Sequence, residues 1–236
     1  MPWYESASLA ASVVLCLVAV GGLLARRKVD VCRSFVPYLG AVALADLLVL
    51  VWPEQFYCQW FWFSKELVIN ILRFALALEL TYRTFRAFPS ARAAARGVLF
   101  MVLLITLIIV FAATGDLVPP EGAPALGPLI TRVQPRVLNG SIWLFSVVAG
   151  LILWYRLPVH PLHKAILVSY VPYLLVFTVS LNFIESQGWG VRETVNPILG
   201  PAYLPVLGYW AIAAWRRADA PLQAPDTKPG FEEAVG

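Results

Sequence analysis

Histidine and cysteine are nearly missing from this chain, at two and three of 236 residues. The histidines, His160 and His163, stand together in HPLH, too few ligands for a structural zinc, which takes four. The cysteines are Cys16, Cys32 and Cys58. They fall at three depths in the topology below, and a disulfide needs Cα atoms within about 7 Å, so free thiols are expected. Charge is scarce too: 14% of residues are charged, against about a quarter in a soluble domain. No Walker loop, GxSxG or HExxH occurs, and no nucleic-acid motif accompanies the net charge of +4. No basic residue precedes the first apolar run, so the N-terminus lacks the positive segment of a cleavable signal peptide and reads as a retained span. No lysine occurs in the last apolar run, which excludes a retinal Schiff base there.

Apolar residues are what the chain has in excess, 60% of the total with a mean hydropathy of +0.74. They gather into runs near the roughly 20 residues that a bilayer core requires. The runs cover about 7–25, 35–52, 63–84, 97–115, 137–155, 165–184 and 194–215. Their borders are basic on one side: Arg26, Arg27, Lys28, Arg33, Arg83, Arg86, Arg92, Arg96, Arg156, Lys164, Arg216 and Arg217. The other side carries only Lys65, Arg132, Arg136 and Arg192. By the positive-inside rule this predicts an all-α bundle of seven transmembrane helices, N-terminus outside and C-terminus cytoplasmic. Residues 1–217 form the membrane domain, and 218–236 read as a disordered cytoplasmic tail. The stretch 116–136, rich in Pro and Gly, is the longest outer loop, and the aromatics from Phe56 to Phe63 read as an interfacial belt.

Ionisable groups at membrane depth cost about 2.5–3.5 kcal/mol on insertion scales and are functional candidates by default. Asp46 and Arg73 each sit about ten residues from the inner end of a span, on neighbouring antiparallel helices, so they are expected to pair. Such a pair either fixes helix packing or marks a ligand, ion or proton site. Glu66, Asn70 and Arg73 share one stripe of the third span and are expected to face an outward-opening cavity. Asn182, Glu185 and Asn196, with Arg192, would form its rim. Nearer the cytoplasm, Glu79, Tyr82, Arg83 and Arg86 form a second cluster, read as an interfacial network or a switch that docks a partner. Pro197, Pro201 and Pro205 are spaced by four along the last span, where freed carbonyls need partners.

VALADLLV around Asp46 resembles the second helix of rhodopsin-type G-protein-coupled receptors. Asn196-Pro197, however, lies at the outer end of its span rather than the inner. The third-helix acidic-Arg-Tyr order is missing, and no cysteine pair joins span three to the long outer loop. The likeness is therefore one of packing chemistry. The run Glu79-x-x-Tyr82-Arg83-x-Phe85-x-x-Phe88-Pro89-x-x-Arg92, after an aromatic loop, is similar to that of a group of uncharacterised bacterial seven-span membrane proteins, over spans two to four. The general plan also resembles the seven-helix sensor modules of some bacterial signalling proteins. The resemblance implies an architecture in a bacterial inner membrane and no activity. The expected function is a binding or sensing module in the lipid bilayer, with an unknown small ligand outside and a cytoplasmic signalling partner inside. The alternatives are a small transporter of a polar or anionic solute and, third, an intramembrane enzyme. No cofactor, metal or nucleic acid is expected.

Overall fold

The computed structural model describes residues 2–85, 134–154, 160–187 and 192–216, with single positions between 93 and 108. Among these residues there are seven helices and no strand. They are α1 (Trp3–Ala25), α2 (Phe35–Val51), the one-turn α3 (Pro53–Phe56), α4 (Gln59–Phe85), α5 (Gln134–Trp154), α6 (Pro161–Gln187) and α7 (Arg192–Trp215). Most of the fourth predicted run (97–115), the outer loop up to 133 and the tail from 217 lie outside the described residues.

Local chemistry sets the helix ends. α1 closes in a Schellman turn: the Lys28 N–H bonds Leu23 O at 2.8 Å and the Arg27 N–H bonds Leu24 O at 3.1 Å. This turn places Arg27 at φ 51°, a left-handed position that usually takes glycine. Pro53 opens α3, where the missing N–H has no helical partner to lose.

The six long helices pack as a closed ring in the order α1, α2, α4, α5, α6, α7 and back to α1. The ring closes tightly where α1 and α7 end. A Cβ added at Gly22 would lie 2.8 Å from Cδ1 of Trp215, so only glycine lets α1 and α7 approach this closely. There Trp215 Nε1 donates to Val18 O at 3.0 Å. Lys28 Nζ donates to Ala213 O and Arg216 O at 3.0 and 2.6 Å, satisfying carbonyls that the end of α7 leaves open.

Inside the ring, Phe35, Tyr38, Phe145, Tyr170 and Trp210 are fully buried. Their rings meet mainly edge to face at centroid distances of 5.1–6.0 Å, the arrangement that aromatic quadrupoles favour. Outside, Leu17, Leu44, Leu47, Ile71, Val179 and Ile212 are exposed, while Asp46, Glu66, Asn70 and Arg73 are buried. This inverts the distribution of a soluble protein, where charges are almost never fully buried. α1 and the Pro161–Ile184 part of α6 are long and apolar enough to cross a bilayer, and α2 and Arg136–Ile152 are shorter apolar helices. The prolines of α6 and α7 do not line the interior. Pro172, Pro197, Pro201 and Pro205 are all exposed on the outer surface of unbroken helices.

Candidate functional site

Two polar assemblies sit inside the ring, one above the other. In the half nearer the start of α4, the Asp46 carboxylate accepts from Lys65 Nζ at 2.7 Å and from Ser12 Oγ at 2.6 Å, tying α2 to α4 and α1. Next to it Glu66 projects from the centre of the buried stripe of α4, with its Oε2 3.5 Å from Arg73 NH1. That contact lacks hydrogen-bond geometry, and Glu66 Oε2 is a buried oxygen with no hydrogen-bond donor among the described residues; Thr178 Oγ1 is likewise unpartnered. Two turns along α4, Arg73 NH1 donates to Asn70 Oδ1 and Nε to the Tyr170 hydroxyl, both at 2.7 Å. Arginine has no acceptor, so Tyr170 must accept there and passes its own proton to Tyr38 at 2.8 Å. Tyr38 and Tyr203 then share a bond of 2.7 Å. One chain of hydrogen bonds thus runs from α4 through α6 and α2 to α7.

The expected Asp46–Arg73 pair is not made. Asp46 binds Lys65 and Arg73 faces Glu66. The register between α2 and α4 explains the difference. Ser34, just before α2, is level with Glu79, because the Glu79 carboxylate accepts its N–H at 2.6 Å. Twelve residues outward from Ser34 is Asp46, and twelve outward from Glu79 is Leu67. Asp46 is therefore level with Lys65 and Glu66, about 9 Å above Arg73 at 1.5 Å per residue. The flexible Lys65 stem lets its ammonium reach sideways while part of the side chain stays exposed.

Glu66, Asn70 and Arg73 do share one stripe, as expected, but all three are buried. Of the expected outer rim, Asn182 is exposed, and the side chains of Glu185, Arg192 and Asn196 lie outside the described residues. Of the cytoplasmic cluster, Glu79 and Arg83 act together. Glu79 accepts from the backbone N–H groups of Arg33 and Ser34 at 2.8 and 2.6 Å and from Arg83 Nε at 2.6 Å. Arg83 also donates to Asp30 O. Tyr82 is exposed and Arg86 lies outside the described residues. The pair is thus an anchor that caps the start of α2 and holds the turn before it.

Two further groups complete this inner clasp. His163 Nε2 bonds Val31 O at 2.8 Å, and His160 Nδ1 accepts the Leu162 N–H at 3.2 Å, capping α6. Burial, then the charge of Lys28, lowers the His160 pKa below its usual value, which keeps the capping nitrogen free. Burial, then the carboxylate of Glu79, pushes the Cys32 thiol up to about 12. All three cysteines are free.

Residues that the sequence did not single out complete the site: Ser12, Lys65, Tyr38, Tyr170 and Tyr203. Lys65 adjoins Glu66 but reads as an outer border charge. The tyrosines carried one available signal, since an aromatic with a hydroxyl inside an apolar run needs a partner when buried.

No family model matches the chain, and no curated protein or solved structure does either.

Proposed function

We propose that this chain is a multi-pass membrane protein of seven spans, N-terminus outside, that binds a small polar ligand in the outer half of its ring and signals through its cytoplasmic face. The six long helices supply six spans and the apolar run 97–115 supplies the seventh. The observation that carries the binding reading is the Glu66 oxygen, buried without a donor beside Arg73. An unmet buried acceptor costs about 1–3 kcal/mol, which a ligand's O–H or N–H would recover.

Local charges already cancel in pairs, Asp46 with Lys65 and Glu66 with Arg73. A charged ligand would leave its own charge unpaired at this depth, so the ligand is small and uncharged, with at least one donor. Occupancy at Glu66 acts on Arg73, and Arg73 holds Tyr170 and through it Tyr38 and Tyr203. These tyrosines belong to the three helices whose inner ends meet at the clasp of Lys28, Glu79 and His163. That path links an outer site to a cytoplasmic partner.

The test is a panel of small uncharged solutes, each added to purified protein in detergent while thermal unfolding is followed. At least one should raise the unfolding midpoint of the wild type and leave Glu66→Ala unmoved. If no solute separates the two proteins, the binding reading fails. Uptake of the active solute into proteoliposomes would replace sensing by transport.

A further inference from the structure

On the outer surface of the ring, α1 and α2 leave an apolar recess of about 290 Å³, lined by Val13, Leu17 and Val20 on one side and Val36, Gly40 and Leu47 on the other. We infer that this recess holds one acyl chain of an anionic phospholipid of the inner leaflet, with its phosphate at Arg26 and Arg27.

Length, lining and charge point to this occupant. From Val36 to Leu47 is eleven residues, about 16 Å of helix rise. The hydrocarbon core is about 30 Å thick, so the recess matches the depth of a single leaflet. It starts one residue from the Phe35 end of α2, which is the inner leaflet on the orientation proposed above, on which this inference rests. Its lining is almost wholly apolar, which suits a chain and no headgroup.

The headgroup belongs at the inner rim. Leu17, Val20 and the exposed Leu24 continue the stripe of α1 toward its end, where Arg26 and Arg27 are both exposed. Arg33 stands at the corresponding end of α2, partly neutralised by Asp30 at 3.0 Å. The rim therefore carries three arginines against one aspartate.

Arg27 stands just past the end of α1 with its side chain exposed. It occupies the left-handed position of the Schellman turn, at φ 51°. A non-glycine residue there is strained by about 1–3 kcal/mol.

Gly40 provides the control. An added Cβ there would meet nothing within 4 Å, so Gly40→Leu fills the recess without disturbing the interior. Leucine also favours helix over glycine, so the variant folds.

The experiment is native mass spectrometry of the protein in detergent with added phosphatidylglycerol or phosphatidylcholine of identical chains. Wild type should retain one phosphatidylglycerol in clear preference to phosphatidylcholine. Arg27→Gly should weaken that preference about fivefold, the scale of one basic residue at an anionic surface. Gly40→Leu should lose the retained molecule of either lipid while its unfolding midpoint stays at or above that of wild type. Equal retention of the two lipids by wild type would overturn the headgroup assignment. Undiminished retention in Gly40→Leu would overturn the recess as the site. A dimer that Gly40→Leu dissociates would give the recess to a second copy of the chain instead.

Discussion

The carboxylate of Glu79 accepts the backbone N–H of Ser34 at 2.6 Å, and this one contact fixes which residues of α2 and α4 share a depth. It also meets a donor that the start of α2 leaves open. N-terminal caps contribute about 0.5–2 kcal/mol, and loss of the carboxylate would leave Arg83 without its partner. Glu79→Ala should lower the unfolding midpoint in detergent by several degrees, and Arg83→Ala by less. An unchanged midpoint for Glu79→Ala would show that the contact positions nothing.

The Asp46–Lys65 pair should behave as a coupled unit. Removing one partner of a buried pair costs about 3–5 kcal/mol, and less here because Lys65 remains partly exposed. Asp46→Ala and Lys65→Met should each reduce folded yield, and the double variant should recover part of the loss. Asp46→Ala combined with Arg73→Met should show no such recovery. Recovery in the second pair and not the first would reverse the assignment.

Cysteine reactivity should follow burial. Only the thiolate is nucleophilic. Cys16 and Cys32 are buried, Cys58 is exposed, and burial holds the Cys32 thiol at about 12. Folded protein at pH 7.5 should take up one maleimide, at Cys58, and denatured protein should take up three. Labelling of Cys32 in folded protein would contradict the packing of the inner clasp.

Stability should fall with acid through His160. Its pKa is lowered in the folded state by burial and by Lys28. The stability tied to its neutral form is thus complete above the unfolded pKa of about 6.5 and lost as pH falls below it toward the folded value. The protonated ring can no longer accept the Leu162 N–H. The unfolding midpoint should drop between pH 7.5 and 5, and His160→Asn, which keeps a capping acceptor, should flatten that drop. An equal drop in the variant would assign the effect to another group.

Orientation is tested directly. A reporter fused after Arg217 should read as cytoplasmic and one inserted near Pro124 as external. The same reading from both would remove the seven-span topology.

Much of the helix content was legible because apolar runs and their basic borders are local signals. The stripe of Glu66, Asn70 and Arg73 was legible for the same reason, since 100° per residue places them together. Partner choice was not. Helix ends set level put Asp46 opposite Arg73, whereas α4 runs about six residues beyond the level of the start of α2, to Phe85. That offset depends on Glu79 reaching the backbone of another helix, which no local pattern encodes. The outward direction of the prolines escaped for a similar reason. A spacing of four shows that they share a face but not which neighbour, if any, that face meets.

The bond from Lys28 to the end of α7 spans 185 and 188 positions of sequence. During synthesis the first helix leaves the ribosome long before the carbonyls of Ala213 and Arg216 exist. The ammonium of Lys28 must stay hydrated until α7 arrives. The ring thus closes at its oldest and newest ends together, so assembly can be completed only as a final event. A chain stopped short of α7 would carry a basic, water-bound end on its first helix.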